Sequence, residues 1–425
     1  MLSGVVTAPA VAAILIGFDQ YQSRGSRWKR AVVAGTLAFT ILVGIRAAHH
    51  VWVLIRDLPE WDFQALWLPA RVAAMGHNFY DPVALRAAVP PSGYSPQFIR
   101  ECVEIGFLYP PWSMLFLAPL GRFAAAPAGV IWGAVEVLAL LASIIALWKA
   151  FDTPPGWLGF LFTTALVLSL SPTQGNLAYG QVNFLMLLPL ALYWKKKDGW
   201  DGGGFLALAS VWKPLGGFIL LGPLLQRSWR VLAGTTIVLA TIGLATVWRF
   251  GWTLSKGYFT SNLAGRFPRD VYINGPHQSI LAAILRTEPW EKLVAMANPV
   301  LHPIYLAVAA LFIFVSALLV ILLRERDRDL SLAILIPCGL LVYPMTFTPS
   351  GVLLILPLLY LWQNRKVHGV TISFVLITAV YALLWFDDGH KAVLGYLTLW
   401  AGLVLLALHG LRTAPTLQPT SKVGS

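Results

Sequence analysis

A few short groups of polar residues stand out in a chain that is otherwise strongly apolar. The first is Glu60-Trp61-Asp62-Phe63, where Asp62 has aromatic neighbours on both sides. An acid there can take a proton from a hydroxyl held at a membrane interface, or simply cap a loop. Tyr80-Asp81-Pro82 follows, with Asp81-Pro82 reading as a turn and Tyr80 as a candidate contact. Phe107-Leu108-Tyr109-Pro110-Pro111-Trp112 then leads into an apolar run. Its prolines suit a helix start, where missing N–H groups are harmless, and the Tyr109 hydroxyl can face a cavity. Gly180-Gln181-Val182-Asn183 opens another apolar run. Its two amides can hold sugar hydroxyls, cap the helix or bond a neighbouring helix.

Lys213 is the sharpest signal. It stands alone, followed by Pro214, within more than twenty mostly apolar residues. A cation in hydrocarbon costs at least a few kcal/mol, so such a residue is paired, snorkelling or functional. Pro214 frees carbonyls of the preceding turn and opens room for a ligand. A lysine facing a lipid phosphate accounts for both features. Further on stands Asn274-Gly275-Pro276-His277-Gln278-Ser279-Ile280, with Arg286 seven residues after Ser279. Read as a helix from Gln278, this places Arg286 about two turns away on nearly the same face. His277 is a candidate base or a structural histidine. Arg46, His49 and His50 sit within an early apolar run; Arg46 can snorkel and the histidines can line a cavity.

Other chemistries lack their residues. No acid pair shows metal-ligand spacing, no Asp-x-Asp appears, and no Ser/His/Asp order stands out. Gly202-Gly203-Gly204 lacks the Lys and Ser of a phosphate-binding loop, which argues against ATP-driven transport. No metal or other cofactor is expected.

The elements that must position these residues are apolar. Of 425 residues, 57% are hydrophobic and 12% charged, with a mean hydropathy of +0.70. Too little charge remains to cover a soluble protein of this size, and disorder or a disulfide scaffold is excluded. Apolar runs of roughly 16–22 residues imply helices rather than barrel strands. The expected class is an all-α polytopic membrane protein of about 10–12 spanning or re-entrant helices. The net charge of +12 reads as short basic loops that fix orientation, with no basic domain for nucleic acid. Cys102 lies in a polar loop and Cys338 in an apolar run, so no disulfide is expected.

Residues 2–18 form a first apolar run, readable as a short span, an interfacial helix or a misplaced start. The basic clusters Arg24–Arg30, Lys195–Lys197, Arg227 with Arg230, Arg324–Arg328 and Arg365-Lys366 are expected on the cytoplasmic side. Two long polar stretches, 56–106 and 251–300, then fall on the outer side, and 412–425 is a polar tail. Parity fails unless at least one of 107–121, 157–171 or 182–194 is broken or re-entrant. Segment 203–225, with Lys213-Pro214 in its middle, reads as a broken hairpin. Irregular backbone at membrane depth must line an enclosed cavity, here one open to the outer face. The chain shows no internal repeat, which argues against a secondary transporter.

Taken in order, Asp62-Phe63, Gly76 with Phe79-Tyr80-Asp81, Phe107-x-Tyr109-Pro110-Pro111, Gly180-Gln181-Val182-Asn183, Lys213-Pro214 and Gln278-Ser279-Ile280 with Arg286 resemble glycosyltransferase family 87. These are the polyprenol-phosphate-mannose-dependent mannosyltransferases of the GT-C superfamily, and the resemblance runs from about residue 55 to 360. It implies a GT-C-like fold and a catalytic cavity facing away from the cytoplasm. It implies transfer of a sugar, mannose by family default, from a polyprenyl phosphate to a lipid-linked or glycan hydroxyl. It also implies a place in glycolipid synthesis for the cell envelope, in a bacterial inner or plasma membrane. The family's essential first-loop Asp carries over to Asp62. One departure is clear: Tyr343–Gly351 lacks the His that many members carry near the outer end of a late helix, so its contribution is either absent or supplied elsewhere, by His277 or His49.

On this reading Asp62 is the base of an inverting transfer, and Lys213 or Arg286 meets the donor phosphate. Tyr80, Tyr109, Gln181, Asn183, Asn274, His277 and Gln278 contact sugar or acceptor, with Trp61 and Trp67 as apolar walls. The alternatives are a carrier or flippase for a polyprenyl-linked lipid, and a lipid-linked glycan ligase or polymerase.

Overall fold

The computed structural model describes residues 4–57, 62–89, 95–99, 103–104, 106–260, 269–273, 276–385 and 389–413. Among them the chain is helical, without a β-sheet. Five helices are long and apolar enough to cross a membrane: Ser26–Asp57, Ala125–Ala150, Trp229–Phe250, Pro303–Leu322 and Gly389–Thr413. Shorter apolar helices pack between them. The chain is thus an all-α polytopic membrane protein. The first apolar run is a helix, Gly4–Asp19, which lies against Val370–Leu384.

The segments that break the parity are broken for identifiable reasons. Residues 107–121 never form a span; they fold as the short turns Pro111–Ser113, Met114–Leu117 and Ala118–Arg122. Helix Trp157–Ser169 stops at Leu170, whose backbone is extended, and Ser171–Tyr179 restarts with Pro172 in its first turn. A proline there loses no helical hydrogen bond, whereas inside a continuous helix it would. Lys213 is extended (φ −143°, ψ 147°) for a related reason: the ring of Pro214 excludes the helical conformation from the residue before it.

That extended residue is the tip of a hairpin. Trp200–Ser210 leads up to it, and Pro214–Phe218 with Leu221–Leu225 leads back. The return arm runs antiparallel to Arg328–Val342, with Gly339 against Leu215 and Phe218, and Gly222 against Leu332 and Leu335. Asn183–Lys196 packs beside Trp200–Ser210 and also beside Ala125–Ala150. These elements share one charged end. There Lys197 pairs with Asp329, Arg328 with Asp198 (2.8 Å), and Arg365 with Asp19 (2.8 Å). Tyr360 adds a hydrogen bond to Asp327 at 2.7 Å. The basic clusters around Lys197, Arg328 and Arg365 therefore lie in one belt.

Asn183 and Lys213 are each fifteen positions from Asp198, which sits in the turn of the belt. Helix Asn183–Lys196 runs down to that turn, and Trp200–Ser210 with the three residues to Lys213 runs back, so that the two far ends come together. The Asn183–Lys196 arm is about 20 Å long at 1.5 Å per residue. Asn183 and Lys213 consequently meet about 20 Å from the belt, among apolar helices.

Candidate active site

Lys213 donates to Gln181 Oε1 at 3.1 Å, Asn183 Oδ1 at 3.0 Å and Ser350 Oγ at 3.4 Å. Its side chain is only 7% exposed. The tip geometry explains the first two contacts. The third comes from the 3₁₀ turn Thr348–Leu354, which packs on Ser171–Tyr179.

Asp62 reaches the same cluster from the first long polar stretch. It opens helix Asp62–Ala74, and its carboxylate faces the Gln181 side chain, which helps to hold the carboxyl down. Gly180 makes this possible. Its φ of +69° turns the chain out of Ser171–Tyr179, and an added Cβ there would lie 3.2 Å from Phe63. The Phe63 backbone segment therefore rests directly on the turn, and Asp62 beside Gln181. The Gly180 carbonyl is held in addition by Trp132 Nε1 at 2.7 Å. The far side of Asp62–Ala74 is clamped by Gly121, where a Cβ would collide with the Ala70 carbonyl.

Gln181 is a junction. Its oxygen accepts from Lys213 and, at 3.3 Å, from the Tyr109 hydroxyl, and the same side chain faces Asp62. Burial lifts the Asp62 carboxyl to about 6, against the opposing pull of the Lys213 charge and the Gln181 side chain. A carboxylate near 6 is still ionised at neutral pH and is a stronger base than an ordinary aspartate. Aromatic rings wall this side. Tyr80 donates to the Tyr109 carbonyl at 2.7 Å, and Phe107, Tyr109 and Tyr258 pack around them.

Three cluster members escaped the sequence reading: Glu136, Asn176 and Ser350. Asn176 donates to Glu136 Oε2 at 2.6 Å and to the Gln181 carbonyl at 2.9 Å, and Asn183 donates to Asn176 Oδ1 at 2.9 Å. Glu136 and Asn176 are fully buried. Glu136 is a lone acid in the apolar run 127–148, and the argument that singles out Lys213 applies to it equally. Ser350 carries no such signal.

The second polar stretch is built differently. Gln278 uses both ends of its amide within the protein: Nε2 donates to Thr348 Oγ1 at 2.7 Å, and Oε1 accepts from Tyr396 at 2.6 Å. Ser279 caps the short helix Ile280–Leu285. Arg286, just after it, turns back to the carbonyls of Ile273 (2.9 Å) and His277 (2.5 Å). His277 packs against Phe347, within the stretch Tyr343–Gly351, and its Nδ1 lies 3.0 Å from the Tyr272 carbonyl. Burial pushes its imidazole down to about 4, so it is neutral. These residues pin the loop to the 346–348 backbone, two residues before Ser350. Arg46 lies over the Trp385 ring, with His50 at 3.4 Å. Trp61, Asn274 and Cys102 lie outside the described residues; Cys338 is a buried free thiol.

Among the described residues no group of three His, Cys, Asp or Glu side chains could hold a metal ion. The cluster does hold a base (Asp62), a donor-only cation (Lys213), and a hydroxyl and amides between them. Such a set can deprotonate an alcohol while a nearby cation receives negative charge.

Alpha-(1->3)-arabinofuranosyltransferase of Mycobacterium tuberculosis (strain ATCC 25618 / H37Rv) is 30% identical over 156 residues, 35% of each chain. The corresponding enzyme of Corynebacterium glutamicum is 30% identical over 213 residues, 48% of this chain and 46% of the relative. The polyprenol-phosphate-mannose-dependent alpha-(1-2)-phosphatidylinositol mannoside mannosyltransferase of M. tuberculosis is 24% identical over 253 residues, 54% of this chain and 55% of the relative. The chain thus spans about a third to about half of the length of these relatives. No solved structure matches it. Residues 107–349, which carry Tyr109, Gln181, Asn183, Lys213 and Ser279 but not Asp62, match the family model. The chain belongs to glycosyltransferase family 87.

Proposed function

We propose that this protein transfers a glycosyl group from a polyprenyl-phosphate donor to a hydroxyl of a lipid-linked or glycan acceptor, with inversion. The observation that carries this reading is the junction at Gln181, which places the Asp62 carboxylate and the Lys213 ammonium on one side chain without pairing them directly. Asp62 takes the proton of the acceptor hydroxyl as its oxygen attacks the anomeric carbon. The bond from that carbon to the phosphate oxygen breaks, and its electron pair leaves on the polyprenyl phosphate. Lys213 meets the charge that grows there, in surroundings where a fixed cation acts strongly. Arg286, occupied on loop carbonyls, has the secondary part of ordering the second polar stretch. Tyr109 and Tyr80 line the acceptor side. No metal takes part.

The distance of the cluster from the basic belt supports a site facing away from the cytoplasm, since basic loops favour the cytoplasmic side. The names of the relatives divide between arabinofuranosyl and mannosyl transfer. The donor class is therefore a polyprenyl-phosphate sugar, hexose or pentose. The test is transfer by the purified protein in detergent, with labelled polyprenyl-phosphate-mannose and polyprenyl-phosphate-arabinose and a membrane lipid extract as acceptor. Label should move to a new lipid with one donor, with chelator present, and Asp62→Asn should abolish it. Transfer at wild-type rate by Asp62→Asn removes the base assignment. Donor binding without transfer from any polyprenyl-phosphate sugar makes the protein a carrier.

A further inference from the structure

We propose that Glu136 is the positioning residue for the Lys213 ammonium, acting through Asn176 and Asn183. The inference deepens the proposed function and rests on Lys213 as the phosphate-binding cation.

The polarity of the hydrogen bonds carries the argument. An ammonium only donates, so Asn183 must turn its oxygen to Lys213. Its NH₂ then faces Asn176, which must present an oxygen there. The NH₂ of Asn176 is left facing Glu136, whose Oε2 accepts from it. The relay therefore runs one way, with a cation at one end and an acid at the other. Each amide orientation is forced from both sides. The Gln181 carbonyl accepts from the same NH₂ at 2.9 Å, so without the acid it alone opposes a joint flip of the two amides, after which Asn183 offers N–H groups to an ammonium.

Packing adds to this. Glu136, Asn176 and Asn183 are each 0% exposed, so water cannot replace a lost link. Oε1 of Glu136 has no partner among the described residues, so its one tie is to Asn176. A buried acid with a single tie is costly to keep, and the relay to Lys213 gives that tie a purpose. Glu136 touches neither donor nor acceptor in this scheme. It acts on Lys213 alone.

The experiment measures binding of farnesyl phosphate, a short polyprenyl monophosphate, to the full-length protein in detergent, with farnesol as a phosphate-free control. Wild type should prefer farnesyl phosphate, and Lys213→Met should erase that preference. Glu136→Met, which removes the acceptor at similar size, should weaken farnesyl phosphate binding about tenfold and leave farnesol unchanged. In the Lys213→Met background the same substitution should change farnesyl phosphate binding less than twofold, because coupled residues are non-additive. Asn176→Leu cuts the relay elsewhere and should behave like Glu136→Met, which keeps the test open if one variant folds poorly. Additive losses, or equal losses for farnesol, make Glu136 merely structural and overturn the inference. A wild type that does not prefer farnesyl phosphate overturns both the inference and the phosphate role of Lys213. An intact coupling beside normal transfer by Asp62→Asn overturns only the base assignment.

Discussion

The belt around Lys197 and the cluster around Lys213 are built on the same helices, at opposite ends, and solve the problem of charge in opposite ways. At the belt, cation meets anion directly: Lys197 with Asp329, Arg328 with Asp198, Arg365 with Asp19. In the cluster, Lys213 meets neutral oxygens of Gln181, Asn183 and Ser350. The acids stand one step back, Asp62 behind Gln181 and Glu136 behind Asn176 and Asn183. A closed ion pair has satisfied its charge and serves to tie helices. A cation held by neutral dipoles keeps charge to offer an incoming phosphate, and an acid kept off that cation keeps its basicity.

Several outcomes would break or sharpen this contrast. The largest effect is expected at Asp62. Asp62→Asn should lower turnover by roughly 10²–10⁴-fold, the usual contribution of a general base, while the protein still elutes as folded material on size exclusion. Lys213→Met should follow with roughly 10²–10³-fold, as for loss of a single charge-stabilising donor. Lys213→Arg should recover part of this at most, because a planar fork does not fit three contacts arranged around a point charge. The third effect is on pH dependence. Asp62 must be unprotonated to act, so kcat/KM should fall tenfold per unit below about pH 6. A profile that stays flat to pH 5 would remove Asp62 as the titrating base. The smallest effect belongs to the belt. Asp198→Asn, at a largely exposed pair, should cost no more than about 1 kcal/mol of stability. Transfer should stay within twofold, read by thermal unfolding and activity side by side.

The sequence made the tip of the hairpin legible because Lys213 is chemically out of place and Pro214 dictates its backbone. Gly180-Gln181-Val182-Asn183 was legible as a polar helix start, and Asp62 as an acid beside it in function, though no spacing tells that they touch. That contact depends on Gly180 packing against Phe63, a matter of three dimensions. Glu136 was within reach of the rule that found Lys213. Asn176 was not, since Ser171–Tyr179 is polar in several positions and only packing selects one. The second stretch misled in geometry. A two-turn helix from Gln278 predicts a shared face with Arg286, but Ile280–Leu285 is short, and Arg286 folds back onto carbonyls before it. Gln278, expected at the sugar, is held by Thr348 and Tyr396. The short helices flanking Leu170 and Lys213 explain why counting spans by length fails: two prolines interrupt runs whose composition alone is continuous.

The two arms about Asp198, equal in residue count, make the backbone a ruler. Deleting one residue between Asn183 and Asp198 lowers that arm by 1.5 Å and turns its end by about 100°, so Asn183 no longer faces Lys213. A matching deletion in the other arm restores the height and leaves both ends facing the wrong way. Length changes in these arms should therefore be far less tolerated than substitutions along them. The site is calibrated by counting residues from the turn as much as by the side chains at its tip.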